Sequence, residues 1–163
     1  QRGQTARFHQ AEVRPMGRPA SGVIGINLDK KDRVVSMDLV QDGAALLVVT
    51  SNGVGKRTAL DEYPIKGRAT GGVITIKLRP KDEVAVARVV TDQTLLTLIS
   101  EGGTVMRTRA DEISQLGRLT QGVNVVSFGP GTRVGALSCE VPDEDEARSE
   151  NVLISVNGDG VEA

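Results

Sequence analysis

One offset organises this chain: particular residues recur at 50-position intervals along most of its length. Gly17, Gly67 and Gly117 are spaced this way, and so are Gly3, Gly53 and Gly103. The same holds for Arg7, Arg57 and Arg107, for Glu12, Glu62 and Glu112, and for Val34, Val84 and Val134. Arg14-Pro-Met-Gly-Arg18 returns as Pro64-Ile-Lys-Gly-Arg68 and again as Ser114-Gln-Leu-Gly-Arg118, each followed by a Gly-Val pair. Self-similarity at a fixed period marks an array of units that bury their apolar faces against one another.

Each full unit reads as four short strands. In the second, 46–50 and 54–58 flank Ser51-Asn52-Gly53, a hairpin turn because Asn and Gly tolerate positive φ. Strands over 73–78 and 84–90 follow, joined at Pro80-Lys81-Asp82. The third unit repeats the plan over 95–100, 104–108, 123–128 and 134–139. The expected fold is therefore all-β, with propeller-like blades of four short antiparallel strands per 50-residue repeat. The divisions are 1–40, without a first strand but with a strand near 34–38, then 43–90 and 93–140. Residues 141–163 hold an acidic insertion and a further β-hairpin or C-terminal tail.

Composition narrows the partners. There are nineteen glycines and no tryptophan, and aromatic residues make up 2% of the chain. No apolar run reaches the roughly 18 residues of a membrane span. Cys139 is the single cysteine, so no internal disulfide forms and a reducing, cytoplasmic setting is expected. The net charge of −1 hides an uneven distribution. Through Cys139 there are 19 lysines and arginines against 13 carboxylates; after it there is one basic residue against eight acidic ones. A basic body with an acidic tail suits a polyanionic partner.

No catalytic constellation assembles, so no catalytic residue, cofactor or metal site is expected. Ser51-Asn-Gly-Val-Gly-Lys-Arg-Thr58 lacks the first glycine of a phosphate-binding loop and has Arg57 where Ser or Thr should follow the lysine. His9 is the only histidine, which excludes His-based triads and His-rich metal sites. Cys139 stands where the other repeats carry Leu39 and Val89, as a small core residue would.

The basic positions differ in kind because they recur. Arg7, Arg57 and Arg107 fall late in the second strands, and Arg18, Arg68 and Arg118 follow a repeated glycine in the long turn. Lys56, Lys66 and Arg109 lie close by. An array sets equivalent residues on one rim, and a row of cations matches a duplex carrying one charge per about 1.7 Å. These nine are the candidate DNA-binding residues. Phe8, Tyr63 and Phe128 sit at non-equivalent positions, so no base-stacking platform repeats. Readout of backbone and shape, with little sequence specificity, is what remains.

At Arg14-Pro-Met-Gly-Arg18, at Lys56-Arg-Thr58 through Asp61-Glu-Tyr-Pro-Ile-Lys-Gly-Arg68, and at Gly103, Arg107-Thr108 and Gly117-Arg118, the chain resembles the C-terminal domain of the bacterial DNA gyrase A subunit. The resemblance covers residues 1 to about 140. It implies a β-pinwheel whose basic rim wraps duplex DNA and so supports negative supercoiling by a type IIA topoisomerase. It also implies that ATP hydrolysis and the DNA-cleaving tyrosine belong elsewhere, Tyr63 being a blade-turn residue. The implied partners are duplex DNA, the gyrase B subunit and the remainder of the gyrase A subunit, in the bacterial cytoplasm near the nucleoid.

Two departures qualify the match. The family carries six blades where about three stand here, which reads as a fragment of the later blades running to an acidic tail. The family's Gln-Arg-Arg-Gly-Gly-Lys-Gly box is absent, and Lys66-Gly67-Arg68 only echoes it. The related A-type subunit of topoisomerase IV stays open, and so does a propeller-type protein-interaction module, though the regularity of the repeats favours gyrase. Pairing of two such chains into a homodimer through 152–156 is a further expectation, and so is competition of Asp143, Glu144, Asp145 and Glu146 with DNA for the rim.

Overall fold

The computed structural model describes residues 1–141, so the acidic stretch and the 152–156 segment lie outside the described residues. Among the described residues, nine strands form three antiparallel sheets. β1 (Gln4–Thr5) pairs with β4 (Val73–Ile74). The largest sheet runs β5 (Val84–Val90), β2 (Ala45–Thr50), β3 (Val54–Ala59), β8 (Val123–Asn124). The third runs β7 (Val105–Arg109), β6 (Leu95–Ser100), β9 (Val134–Glu140). Short 3-10 turns follow the second strands at Gln10–Glu12, Leu60–Glu62 and Ala110–Glu112. The all-β, blade-by-blade reading is what is seen.

The expected third strands are corrected in length and in allegiance. Only Val73–Ile74 and Val123–Asn124 pair, and they pair with the preceding blade: Val54 opposes Asn124 and Gly55 opposes Val123. Glycine makes this transfer feasible. Gly122 turns at φ 82°, and a Cβ there would stand 2.6 Å from the Gly55 carbonyl oxygen. Beyond β8 the ladder stops because Val125 and Val126 N–H both donate to the Gly53 carbonyl, wrapping the chain around the hairpin tip. At that tip Gly53 has φ 79°, and a Cβ on it would lie 2.1 Å from Val126 O.

The expected strand near 34–38 is also corrected. Its equivalents β5 and β9 pair with the first strands β2 and β6 of their own blades. Residues 34–40 have no such strand beside them and make no ladder, and Met37 is 87% exposed.

The core is two buried clusters, one on each side of β2, and the first is shared between repeats 2 and 3. All six residues of β2 are buried, which alternation explains only if both faces of the sheet are covered. Leu47 and Val49 face repeat 3 and pack with Leu96, Leu98, Ala110, Ile113, Val126 and Val134. Leu46 and Val48 pack the other way with Leu60, Tyr63, Ile76 and Val84, all from repeat 2 itself. In β6 Leu96, Leu98 and Ser100 are buried, whereas Leu95, Thr97 and Ile99 are not. One face of blade 3 is thus covered.

Candidate nucleic-acid interface

Each long turn crosses to the blade before it. Lys66 N–H donates to Arg7 O at 2.8 Å and Leu116 N–H to Arg57 O at 2.8 Å, so both turns start alongside a preceding second strand. A carboxylate then fixes the glycine-arginine corner. Arg68 N–H donates to Glu12 Oε2 at 3.0 Å, and Arg118 N–H to Glu62 Oε2 at 3.0 Å. The guanidinium reaches back in turn: Arg68 donates to Ile24 O and Arg118 to Ile74 O, each at 2.9 Å. The recurrence of Glu12 and Glu62 therefore serves a latch between blades.

Two of the three repeated arginines, Arg7 and Arg57, point inward, whereas Arg107 in β7 is exposed. Arg57 is buried, its Nε donating to Ile113 O at 2.8 Å and its fork pairing with Asp92 and reaching Asp111 O. Arg7 donates to Leu60 O at 2.7 Å and to Tyr63 O at 3.3 Å. Both donate to carbonyls of the following blade's 3-10 turn and of the residue that caps it. Lys56 is 0% exposed and donates to Gly117 O at 2.5 Å, Arg118 O at 2.8 Å and Thr120 Oγ1 at 3.1 Å. Burial pulls its pKa down to about 8, partly offset by Glu62. As placed, Lys56 and Arg57 have no path to a phosphate. Desolvating a cation requires partners, and theirs are the carbonyls and carboxylate of the next blade.

The remaining candidates are spread over the surface. Arg18, Lys66 and Arg107 are exposed and have no side-chain hydrogen bond or ion pair among the described residues. Arg109 is exposed but occupied, forming a two-bond pair with Asp111 at 3.2 and 2.9 Å. Arg68 and Arg118 are half-buried, each tied through one of five N–H donors. Arg118 also stands over the Tyr63 ring, 6.0 Å from its centroid.

A second set of cations was not singled out by sequence. Lys77, Arg79 and Lys81 in repeat 2 and Lys30 and Lys31 in repeat 1 are exposed on the turn between third and fourth strands. Lys77 N–H donates to Thr120 O at 3.0 Å, so this strand end lies beside the Arg118 turn of the next blade. The same offset was the signal available: Lys31 and Lys81 sit 50 apart, with φ of 66° and 64°.

His9 is exposed, and its Nδ1 accepts from Ala11 N–H. Burial raises the pKa of the Cys139 thiol, which suppresses the thiolate. Among the described residues no three His, Cys, Asp or Glu side chains form a metal-holding group, and no helix is long and apolar enough to cross a membrane.

The chain is similar over 64 residues, at 53% identity, to the DNA gyrase A protein of Salmonella typhimurium, and at 47% identity to that of Escherichia coli. Each match takes in 39% of this chain and 7% of the relative, so the chain spans a small part of the curated relatives it matches. Among solved structures, the C-terminal domain of DNA topoisomerase IV superposes with a TM-score of 0.81 at 23% identity, over 96% of this chain and 50% of that one. The E. coli ParC C-terminal domain gives a TM-score of 0.56 at 18% identity, over 71% and 49%. Both likenesses establish the propeller-type fold. The family model of the DNA gyrase C-terminal domain, beta-propeller, matches residues 1–41, 44–91 and 95–140, well over half of the sequence. With its three interlocked blades, the chain belongs to the DNA gyrase C-terminal domain family.

Proposed function

We propose that the exposed turns form a basic rim that binds the backbone of duplex DNA without sequence specificity and bends it along the array. The observation that carries this reading is an imbalance of partners at the blade junctions. Glu12 and Glu62 are consumed by backbone N–H groups, while Arg18, Lys66, Lys77, Arg79 and Lys81 keep free side chains among the described residues. Local carboxylates are thereby withdrawn from the cations beside them, which favours an external polyanion. Arg68, Arg107 and Arg118 complete the proposed contact set, and Arg109 joins it by exchanging Asp111 for a phosphate. Lys56, Arg57 and Arg7 act behind the rim.

On this reading the chain is a non-catalytic part of a gyrase A subunit that wraps DNA to support negative supercoiling. It works with gyrase B and with the rest of its own subunit, in the cytoplasm. The likeness in fold to topoisomerase IV keeps open, as the second reading, that enzyme's A-type subunit.

The test is binding of a random-sequence duplex across a salt series. Neutralising about four to six phosphates gives a slope of log K against log salt of roughly −4 to −5. Lys66→Ala and Arg18→Ala each flatten it by about 0.9, evenly across sequences. A slope near zero removes the reading.

A further inference from the structure

We propose that Lys56 is a positioning residue for DNA binding: a buried strut that holds the Gly117–Thr120 corner of blade 3 so that Arg118 meets the duplex. The inference rests on the DNA-binding reading above and deepens it at one junction. Its geometry is specific. Lys56 leaves β3 of blade 2 and directs its ammonium into the corner of the next blade, where Gly117 O, Arg118 O and Thr120 Oγ1 take its three protons. Thr120 Oγ1 in turn donates to Gly117 O at 2.8 Å, and Thr120 N–H to the same carbonyl at 3.2 Å, so the corner closes around the lysine. Glu62 in turn holds Arg118 N–H. The Arg118 backbone is therefore held at its N–H by Glu62 and at its carbonyl by Lys56.

The strut is not part of the repeat. The equivalent residues are Ala6 and Met106. At the other junction the corner bearing Arg68 has Glu12 on its N–H and no lysine beneath it. A requirement of the fold itself would recur as the glutamate does. A residue confined to one junction points instead to what that junction presents.

The charged groups facing Lys56 are Glu62, from the turn after β3, and Arg118 above it. The strands on either side, β2 and β8, contribute no titratable residue. With a folded pKa of about 8 against 10.5, Lys56 carries fewer protons in the folded than in the unfolded chain between those values. Stability linked to this group therefore rises with pH across that window, as the cost of burying the ammonium is relieved. The corner behaves in the opposite sense, because a neutral amine has two protons for three acceptors. DNA affinity should fall as pH passes through about 8 while folding stability holds or increases. A purely structural lysine would change stability with pH and leave the affinity flat.

The experiment compares wild type, Lys56→Met, Arg118→Ala and the double variant on a random-sequence duplex. Methionine is the residue that repeat 3 carries at the equivalent position. Lys56→Met should flatten the salt slope by roughly 0.9, the loss of one phosphate contact, and Arg118→Ala should do the same. The double variant should bind as Arg118→Ala does, since a strut without its arginine has nothing to position. Additive losses, or an unchanged Lys56→Met, overturn the proposal. The pH series on wild type needs no substitution, and an affinity flat between pH 7 and 9 also overturns it. Amide exchange decides the matter without DNA: Thr120 should lose protection in Lys56→Met while β2 keeps its own. Equal protection refutes the strut even if no variant binds DNA, whereas failure of wild type alone to bind refutes only the reading above.

Discussion

The two blade junctions share their connectors but not their cores. Between repeats 1 and 2, and again between 2 and 3, the glutamate latch spans 3.0 Å and the returning arginine bond 2.9 Å. The apolar clusters differ. Between repeats 2 and 3 one buried cluster draws on both repeats. The cluster on the other side of β2 contains buried residues of repeat 2 alone. The difference separates two tasks: repeated polar contacts set where one blade sits on the next, and shared apolar burial sets how firmly it stays there.

Truncation in the shared core should break the comparison most visibly. Leu98→Ala is expected to cost about 2–5 kcal/mol in urea unfolding, whereas Ile26→Ala, half-buried in repeat 1, should cost under about 1. Equal costs would mean that the first junction has a core of its own.

Glycine at the hairpin tips gives the next effect. Gly53→Ala and Gly103→Ala both force a left-handed residue, at about 1–2 kcal/mol. Only at Gly53 does the new Cβ meet a backbone oxygen, whereas nothing lies within 4 Å at Gly103. Gly53→Ala should therefore cost more and release the β8 amides to exchange. Matching costs would show that the hand-over of β8 tolerates displacement.

The buried arginine ranks third. Arg57→Met leaves Ile113 O and Asp111 O without donors, at about 1–3 kcal/mol, and half-exposed Arg7→Met should cost about 0.5–1.5. A reversed order in thermal melts would move the stronger junction to the amino-terminal side. The smallest effect belongs to the latches. Glu12→Gln should cost about 0.5–1 kcal/mol, and Glu62→Gln slightly more, because Glu62 also offsets the burial of Lys56. Equal values would show that Glu62 acts through its latch alone.

Much of this was readable from the 50-residue offset. It placed β2, β3, β5, β6, β7 and β9 to within a residue or so, because apolar alternation and hairpin glycines are local signals. It did not show that Val123 and Asn124 join the previous blade. A period says which residues are equivalent, and says nothing of which neighbour they pair with. Assigning Lys56 and Arg57 together to a DNA-facing rim overlooked a simple constraint. Adjacent strand residues point to opposite faces, so at least one had to meet a neighbouring blade. Reading the 80–82 turn only as a turn likewise hid Lys77, Arg79 and Lys81, whose exposure depends on where that turn lies.

The borrowed outer strand also sets a timetable. Val54 and its partner Asn124 are seventy residues apart in sequence. A ribosome adding about 5–20 residues per second takes roughly 4–14 s to cover that interval. Once β5 has emerged, blade 2 has its other three strands but an open outer edge, and nothing within its own repeat can close it. Birth of this fold is therefore a relay in which the first and second blades each stay unfinished until a successor emerges, and the open edge travels along the chain with synthesis.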